Sequence, residues 1–270
     1  MVLSLGILHA DWVMVLKTDP TLISIDIITV THNSSSQLQS CWRKFAHSRQ
    51  ENWNWYVVDN ASTDNSVNVA KNLGATVIEL PQNKGFSHAN NIGFNNSNSD
   101  LVIFANPDLE IDYDTLDEFA VACFNFKGLL APQLLNLDGS YQANGRGEPY
   151  LSSKLAHRKL LLNRIAKKGY LPDTYCPGLY EVYWLMGAAV AVERSIFREI
   201  GLWDDGFFIY YEDHELGIRA KELGYRVAVD SHFKWKHLWA RETTTFALKP
   251  YIHEFRSALR FYRKYPKYLR

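Results

Sequence analysis

The chain has 270 residues, 47% of them hydrophobic and 21% charged, globular values that exclude a disordered chain. Lys and Arg number 29 and Asp and Glu 29, for a formal net charge of zero, so no basic excess points to a nucleic-acid partner. Three cysteines, at 41, 123 and 176, form neither a metal-binding spacing nor an even disulfide framework, which fits buried thiols in a reducing compartment. The apolar start, MVLSLGILHADWVMVL, is interrupted by His9 and Asp11 and has no basic lead-in. It falls far short of the ~20 residues a bilayer span needs, and residues 1–22 are expected to be an N-terminal extension.

Along the chain, apolar runs alternate with helical patterns. Residues 23–30 (ISIDIITV) form a β-branched run ending at Thr31-His32-Asn33, and residues 34–50 follow with Leu38, Trp42 and Phe45 on one helical face. Residues 55–58 (WYVV) predict the next strand, ending at Asp59-Asn60. Asp64 is placed to cap a helix that runs to Leu73 and is stopped by Gly74. Residues 76–80 predict a third strand, 86–95 a helix and 101–105 (LVIFA) a fourth strand, after which Asp112 or Asp114 caps a helix through Phe124. This alternation predicts an α/β fold of parallel βαβ units with helices on both faces. In such sheets ligands bind beyond the carboxyl ends of the strands. The polar clusters Thr31-His32-Asn33, Asp59-Asn60-Ala61-Ser62 and Asn106-Pro107-Asp108 each follow a strand directly, and three clusters in register predict one shared cleft.

The second half is less regular. Residues 136–180 mix Gly, Pro and basic residues around a helical stretch at 154–168 and predict a long excursion or lid. Residues 182–192 are apolar and lead into a short helix, 193–200, stopped by Gly201. A helix over 214–223, a strand over 226–230 and a last helix over 251–264 follow.

Four segments carry residue types suited to chemistry. In VVDNASTDNS (57–66), a carboxylate at a strand end can accept from the N3–H of a uracil or thymine ring; the alternative is an Asx turn with a helix cap. In Asn83-Lys84-Gly85-Phe86-Ser87-His88-Ala89-Asn90-Asn91, Gly85 permits close backbone approach and the following helix N-terminus favours an anion, or the glycine simply makes a turn. Neither a P-loop nor a Gly-x-Gly-x-x-Gly pattern is present. In Phe104-Ala105-Asn106-Pro107-Asp108, Pro107 ends the strand and exposes Asp108; one carboxylate plus phosphate oxygens suffices for Mg²⁺ or Mn²⁺, and a plain turn aspartate is the alternative. In Tyr211-Glu212-Asp213-His214-Glu215, Asp213 sits at a helix start that favours its ionised form and is suited to take a proton from a hydroxyl; the alternative is an acidic first turn.

Taken together, ISIDIITVTHNS, WYVVDNASTDNS, NKGFSHANNIG, LVIFANPDLE, LMGAAVAVERSIFREIGLWDDGFFIYYEDHELGIRAKELGY and the His237 region span residues 23–240. They closely resemble the family 2 glycosyltransferases, nearest to the rhamnosyltransferase-like branch. The resemblance implies a GT-A type fold: a Rossmann-like, mostly parallel central sheet flanked by helices, with a C-terminal acceptor-side extension. Residues 23–125 would form the nucleotide-sugar half, 126–240 the acceptor and catalytic half, and 241–270 a basic helical segment. The implied activity is inverting, metal-dependent transfer of a hexosyl or deoxyhexosyl group in cell-surface polysaccharide synthesis. The donor would be a UDP- or dTDP-sugar, dTDP-rhamnose among the candidates, and the acceptor a hydroxyl of a glycan or lipid-linked glycan. The place implied is the cytoplasm, at the inner face of the membrane.

By the same resemblance Asp59 reads the pyrimidine, with Asn60 beside it, and Thr31, Asn33, Lys84, Gly85 and Asn90 line the nucleotide. Asp108 corresponds to the last acid of the family's Asp-x-Asp motif, which holds Mg²⁺ or Mn²⁺ and here begins with Asn106. Asp213 corresponds to the catalytic base. His237 stands where relatives place a further metal or diphosphate ligand, a buried structural histidine being the alternative. The chain departs from many relatives at His214-Glu215 after the base and at His32 after Thr31. A non-catalytic scaffold that binds nucleotide sugar or glycan is the rival reading. A glycosidase would leave the nucleotide elements without purpose, and residues 29–36 lack the basic glycine-rich loop of a nucleotidyltransferase. The aromatic residues Trp184, Trp203, Phe207, Phe208, Tyr210 and Tyr211 are candidates for stacking on sugar faces or for the core.

The net charge of zero is a sum of unlike parts. From Lys234 to Arg270 there are ten Lys/Arg and two Asp/Glu, leaving 19 basic and 27 acidic residues in 1–233. The basic aromatic end, HEFRSALRFYRKYPKYLR, is suited to a peripheral membrane contact through 251–270 or to an anionic acceptor, against a solvated helix as the alternative.

Overall fold

The computed structural model describes residues 23–157, 177–238 and 248–269. The N-terminal extension, most of the predicted basic helical stretch at 154–168 and Cys176 lie outside the described residues. The first half runs β1 (Ile25–Thr31), α1 (Ser35–Cys41), α2 (Phe45–Ser48), β2 (Trp53–Asp59), α3 (Ser66–Asn72), β3 (Thr76–Glu79), α4 (Phe86–Asn95) and β4 (Leu101–Ala105). These strands are parallel in the order β3-β2-β1-β4. Thr31 stands beside Asp59, and Ile28 stands opposite Phe104, so the three polar clusters emerge at one edge. All of β4 and nearly all of β1 is buried, as strands covered on both faces must be.

The second half runs β5 (Leu109–Glu110), α5 (Leu116–Phe126), β6 (Gly128–Leu135), β7 (Tyr141–Gln142), β8 (Gly145–Arg146), α6 (Leu151–His157), β9 (Leu179–Glu181), β10 (Trp184–Leu185), β11 (Ala189–Glu193), α7 (Arg194–Ile200), α8 (Glu212–Glu222), β12 (Arg226–His237) and α9 (Leu248–Lys264). The sheet continues as β4-β11-β6-β12-β5. Strand β11 runs antiparallel to β4 and β6, whereas β6 and β12 are parallel. The result is the mixed, mostly parallel α/β sheet flanked by helices that the sequence predicts.

Several elements differ in detail. The helix predicted over 34–50 is broken at Trp42, whose indole stacks on Trp55 at 4.4 Å and donates to the Pro107 carbonyl at 3.0 Å. Packing of that ring, rather than helix propensity, sets the local path. Asp112, not Asp114, caps the chain here, but it caps a 3₁₀ turn over Tyr113–Thr115 that leads into the next helix, accepting from Asp114 N and Thr115 Oγ1. Asp64 does more than cap α3. It accepts from Ser66 and also from Ser35 N at the start of α1. Its partial burial works against ionisation, but these bonds outweigh it and hold the carboxyl down at about 2. The apolar run 182–192 is two strands, with a turn at Met186-Gly187-Ala188 between them. The strand predicted over 226–230 continues to His237 through an irregularity between Asp230 and Lys234. Cys41 and Cys123 are buried free thiols, and burial pushes both thiol pKa values up.

One buried ion pair joins the two halves. Asp26 on β1 is fully buried and accepts from Asn98 N, Ser99 N, Ser99 Oγ, Asn54 Nδ2 and Arg194 Nη2. Arg194 opens α7 and also donates to the carbonyls of Phe94 and Ser99. Removing one partner of a buried pair strands the other's charge, at a cost of about 3–5 kcal/mol. Arg194→Met is expected to lower unfolding free energy by about 3 kcal/mol, read by urea denaturation; a loss below about 1 kcal/mol would show that the pair does not tie the halves together.

Candidate active site

Two strand ends supply an orphaned polar pair. Asp59 ends β2, and its Oδ2 accepts from Ser62 N at 2.9 Å. Its Oδ1 is buried without a hydrogen-bond partner, as is Oγ1 of the neighbouring Thr31. Buried polar atoms of this kind are rare in native proteins and ask for a missing partner. Asn33 holds the adjoining loop, its Oδ1 accepting from Thr63 N at 2.7 Å and its own N–H donating to Ser62 Oγ. Asn33 and Ala61 both adopt left-handed φ, 54° and 61°, strain of about 1 kcal/mol each concentrated at this edge.

The Lys84-Gly85 loop is held rather than free. Asn60 is buried, accepts from Lys84 N at 2.8 Å and donates to the Gly85 carbonyl at 3.2 Å. Both ends of its amide are thus spent on the loop, which leaves the Lys84 side chain exposed. Gly85 has φ +88°, and a Cβ there would collide with the Phe208 carbonyl. That carbonyl accepts from Phe86 N at 2.7 Å. The N-terminus of α4, an anion cradle on sequence grounds, is therefore covered by the loop before α8. Asn90 is buried within α4 and donates to the Phe86 carbonyl.

A second corner lies where β4 meets β11. Asn106 N donates to the Ala188 carbonyl at 2.9 Å, and the Trp42 indole holds the Pro107 carbonyl. Asp108 Oδ1 lies 3.3 Å from His237 Nε2. His237 Nδ1 is 2.7 Å from Gln142 Oε1, and Gln142 Nε2 donates to Asn136 Oδ1 at 2.9 Å. The amide oxygen must accept, so Nδ1 carries a proton; in the neutral ring Nε2 then turns its lone pair toward the Asp108 carboxylate. Two electron-rich atoms this close fit a divalent cation. Among the described residues no group of three His, Cys, Asp or Glu could hold a metal, so phosphate oxygens and water would complete the shell, as Mg²⁺ and Mn²⁺ permit.

The third corner is the start of α8. Tyr210 and Tyr211 both have left-handed φ, 69° and 67°, and this sharp entry sets Glu212 and Asp213 in the first turn. Asp213 Oδ2 faces Gly187 N at 3.3 Å. Oδ1 accepts from His214 N at 2.8 Å and His214 Nδ1 at 2.7 Å. The Met186-Gly187-Ala188 turn thus touches both Asp213 and Asn106, which brings the second and third corners together. Burial works against the charge on Asp213, but the His214 bonds prevail and hold its pKa below the usual carboxylate value. Burial pulls the His214 pKa down against the opposing pull of Asp213. Glu212 goes the other way: burial, then the Asp213 charge, pushes its pKa well up, and its Oε2 has no partner. Adjacent carboxyls driven apart in this way are a recurring mark of acid–base sites.

Glu212 and His214 are the two residues whose part in the site the sequence does not disclose, although the run of acids at a helix start is a signal for the first. His214 stacks on Trp184 with ring centroids 3.5 Å apart. Of the aromatic candidates for sugar stacking, Trp184, Trp203, Phe207 and Tyr211 are buried core residues. Phe208 and Tyr210 remain half-buried at the rim, Phe208 stacked on His253.

Comparison with known proteins accords with this geometry. Residues 26–123 match the profile of glycosyl transferase family 2. The chain is 26% identical over 215 residues to the low-salt glycan biosynthesis hexosyltransferase Agl10 of Haloferax volcanii, a stretch covering 76% of this chain and 64% of that protein. It is 26% identical over 219 residues to the N-acetylglucosaminyl-diphospho-decaprenol L-rhamnosyltransferase of Mycobacterium tuberculosis, covering 74% and 71%. In fold it resembles GalNAc-T7 crystallised with UDP, GalNAc and Mn²⁺, with a TM-score of 0.62 at 18% identity, over 87% of this chain and 48% of that one. The match therefore spans less than two thirds of the hexosyltransferase and about half of GalNAc-T7. Motifs, sheet order and these likenesses agree: the chain has the GT-A fold, residues 26–123 match the family 2 glycosyltransferase profile, and about three quarters of the chain is similar to hexosyl- and rhamnosyltransferases.

Proposed function

We propose that the protein is an inverting glycosyltransferase of glycan biosynthesis, moving a hexosyl or deoxyhexosyl group from a nucleoside-diphosphate sugar to a hydroxyl of a glycan or lipid-linked acceptor. The observation that carries this reading is the carboxyl pair opening α8. Asp213 is ionised and has Oδ2 turned to the Gly187 backbone, while burial favours the neutral form of its neighbour Glu212. In a single displacement Asp213 takes the proton from the acceptor hydroxyl. The hydroxyl oxygen bonds to the anomeric carbon as the bond from that carbon to the diphosphate oxygen breaks, and the nucleoside diphosphate leaves with the electron pair.

The donor side has matching features. The orphaned Asp59 Oδ1 and Thr31 Oγ1 suit the N3–H and polar edge of a pyrimidine, which favours UDP- or dTDP-sugars. Asn33 and Asn60 hold the loops that would line the nucleotide, Asn90 steadies α4 behind them, and exposed Lys84 is suited to the diphosphate. Asp108 and His237 would hold Mg²⁺ or Mn²⁺, with Asn106 beside them. The ion would supply charge neutralisation for the departing diphosphate. Mannosyl- and GalNAc-transferase neighbours of the same fold were crystallised with Mn²⁺.

Three outcomes are expected. In a thermal-shift and hydrolysis screen of UDP-, GDP- and dTDP-sugars with Mn²⁺, a pyrimidine donor should stabilise the protein. Asp213→Asn should keep that donor binding yet lose transfer by roughly 10²-fold or more, and near-normal turnover would sink the base assignment. Stabilisation by a donor with neither hydrolysis nor transfer would favour the scaffold reading, and no stabilisation by any donor would overturn the proposed donor site.

The second concerns pH. A base works only while ionised, so the rate falls as pH drops through its pKa. His214 holds the Asp213 pKa down, so His214→Val should raise it and move the acid limb of kcat to higher pH. His214→Asn, which keeps an N–H donor, should restore part of the shift. Superimposable acid limbs would remove His214 from the mechanism.

The third concerns the metal. Calorimetric titration with Mn²⁺ in the presence of the nucleoside diphosphate should show binding that weakens at least about tenfold in Asp108→Asn and in His237→Ala. Unchanged affinity in both would exclude this corner.

A further inference from the structure

The described residues expose eight large hydrophobic side chains, and five of them, Tyr251, Ile252, Phe255, Leu259 and Leu269, lie in the C-terminal 20 residues. Such clustering is the feature that distinguishes a binding face from scattered surface residues. Helix α9 has two faces. One is built into the protein: Phe261, Tyr262 and Tyr265 pack with Phe207, Tyr211 and Ile218. Tyr265 OH and Lys264 Nζ both reach the fully buried Glu215 on α8, and Ser257 Oγ donates to the Ile209 carbonyl. The other face carries Ile252, Phe255 and Leu259 at helical spacing, Phe255 being 70% exposed. A band of cations adjoins this stripe. Arg256, Arg260, Arg263 and Lys264 form an open patch on the helix surface together with Leu259. Arg260 and Lys264 are tied to Asp204, whereas Arg256 and Arg263 have no carboxylate partner among the described residues.

We propose that the outer face of α9 is a docking surface for an anionic phospholipid bilayer, on which the helix lies in the plane of the interface. The pattern fits that occupant better than a protein groove. Apolar side chains one and two turns apart reach the acyl boundary, while long arginine stems beside them carry their charge to the headgroup phosphates. No helix among the described residues is long and apolar enough to cross a membrane, so the contact is peripheral. Because the inner face of α9 packs on α8, a bilayer seated there lies on the side of the molecule that carries Asp213. That arrangement suits a hydroxyl acceptor presented from the membrane, but the docking itself does not depend on the transfer reaction.

The test is co-sedimentation of the full chain with vesicles of phosphatidylcholine alone and with one third phosphatidylglycerol. Binding should be strong only with the anionic lipid and should fall as salt rises. Arg256→Gln with Arg263→Gln should weaken it by roughly tenfold or more, each basic side chain near such a surface counting for about fivefold. Ile252→Ser with Phe255→Ser should weaken it comparably, with an unchanged thermal unfolding midpoint showing that these exposed positions leave the fold intact. Donor binding should be the same in every variant, which keeps failure here separate from failure of the proposed activity. Equal sedimentation with both vesicle types, or binding unaffected by either double substitution, would overturn the proposal. So would a concentration-dependent dimer that dissociates in these variants, since the face would then be covered by a second copy.

Discussion

Everything at the site depends on one strand running against its neighbours. Parallel strands carry all their carboxyl ends to one edge, and β1, β2 and β4 place Thr31, Asp59 and Asn106 there. A further parallel strand would bring only another carboxyl end. Antiparallel β11 instead brings its beginning, so the Met186-Gly187-Ala188 turn that feeds it arrives at the same edge. The Ala188 carbonyl then binds Asn106 N, and Gly187 N faces Asp213. A cleft between two chemically unlike halves follows from that reversal, and the buried pair of Asp26 and Arg194 locks the halves behind it.

Around this edge the protein gathers several features that cost folding energy. Asp59 Oδ1 and Thr31 Oγ1 have no partner, Glu212 is buried against an ionised neighbour, and four non-glycine residues hold left-handed backbone. Each feature opposes folding, and the tightly bonded loops around them offset that opposition. Asn60 spends its whole amide on the 84–85 loop, and Asp64 bridges the starts of two helices. The polar residues of the first half thus divide into those that hold loops and those left facing the cleft.

The neutral total charge conceals a division of labour. Acidic groups gather in the body, where Asp108 and Asp213 sit, and basic groups gather in the last segment. Part of that basic excess is internal: Lys264 answers the buried Glu215, and Arg260 answers Asp204. Two others, Arg256 and Arg263 beside an exposed apolar stripe, turn outward. Helix α9 therefore acts in both directions, buttressing the helix of Asp213 and presenting a charged apolar face to the surroundings.

The amino-acid pattern by itself determined the parallel first half, the positions of its polar strand ends and a helix over about 214–223 with Asp213 at its start. Those features are written in local periodicity and in turn and cap residues, which act over a few neighbours. It left β6 unannounced, because Pro132 interrupts the run, and it ended β12 at residue 230, because the irregularity beyond Asp230 breaks the alternation that carries the strand on to His237. Only the tertiary structure decided that Gln142, from a two-residue strand, orients the His237 imidazole, and that the Phe208 carbonyl closes the end of α4. It alone decided that His214 holds Asp213 while Trp184 holds His214. Apart from that between the neighbours Asp213 and His214, those contacts join residues many positions apart, and burial and hydrogen-bond direction are encoded by no period in the sequence.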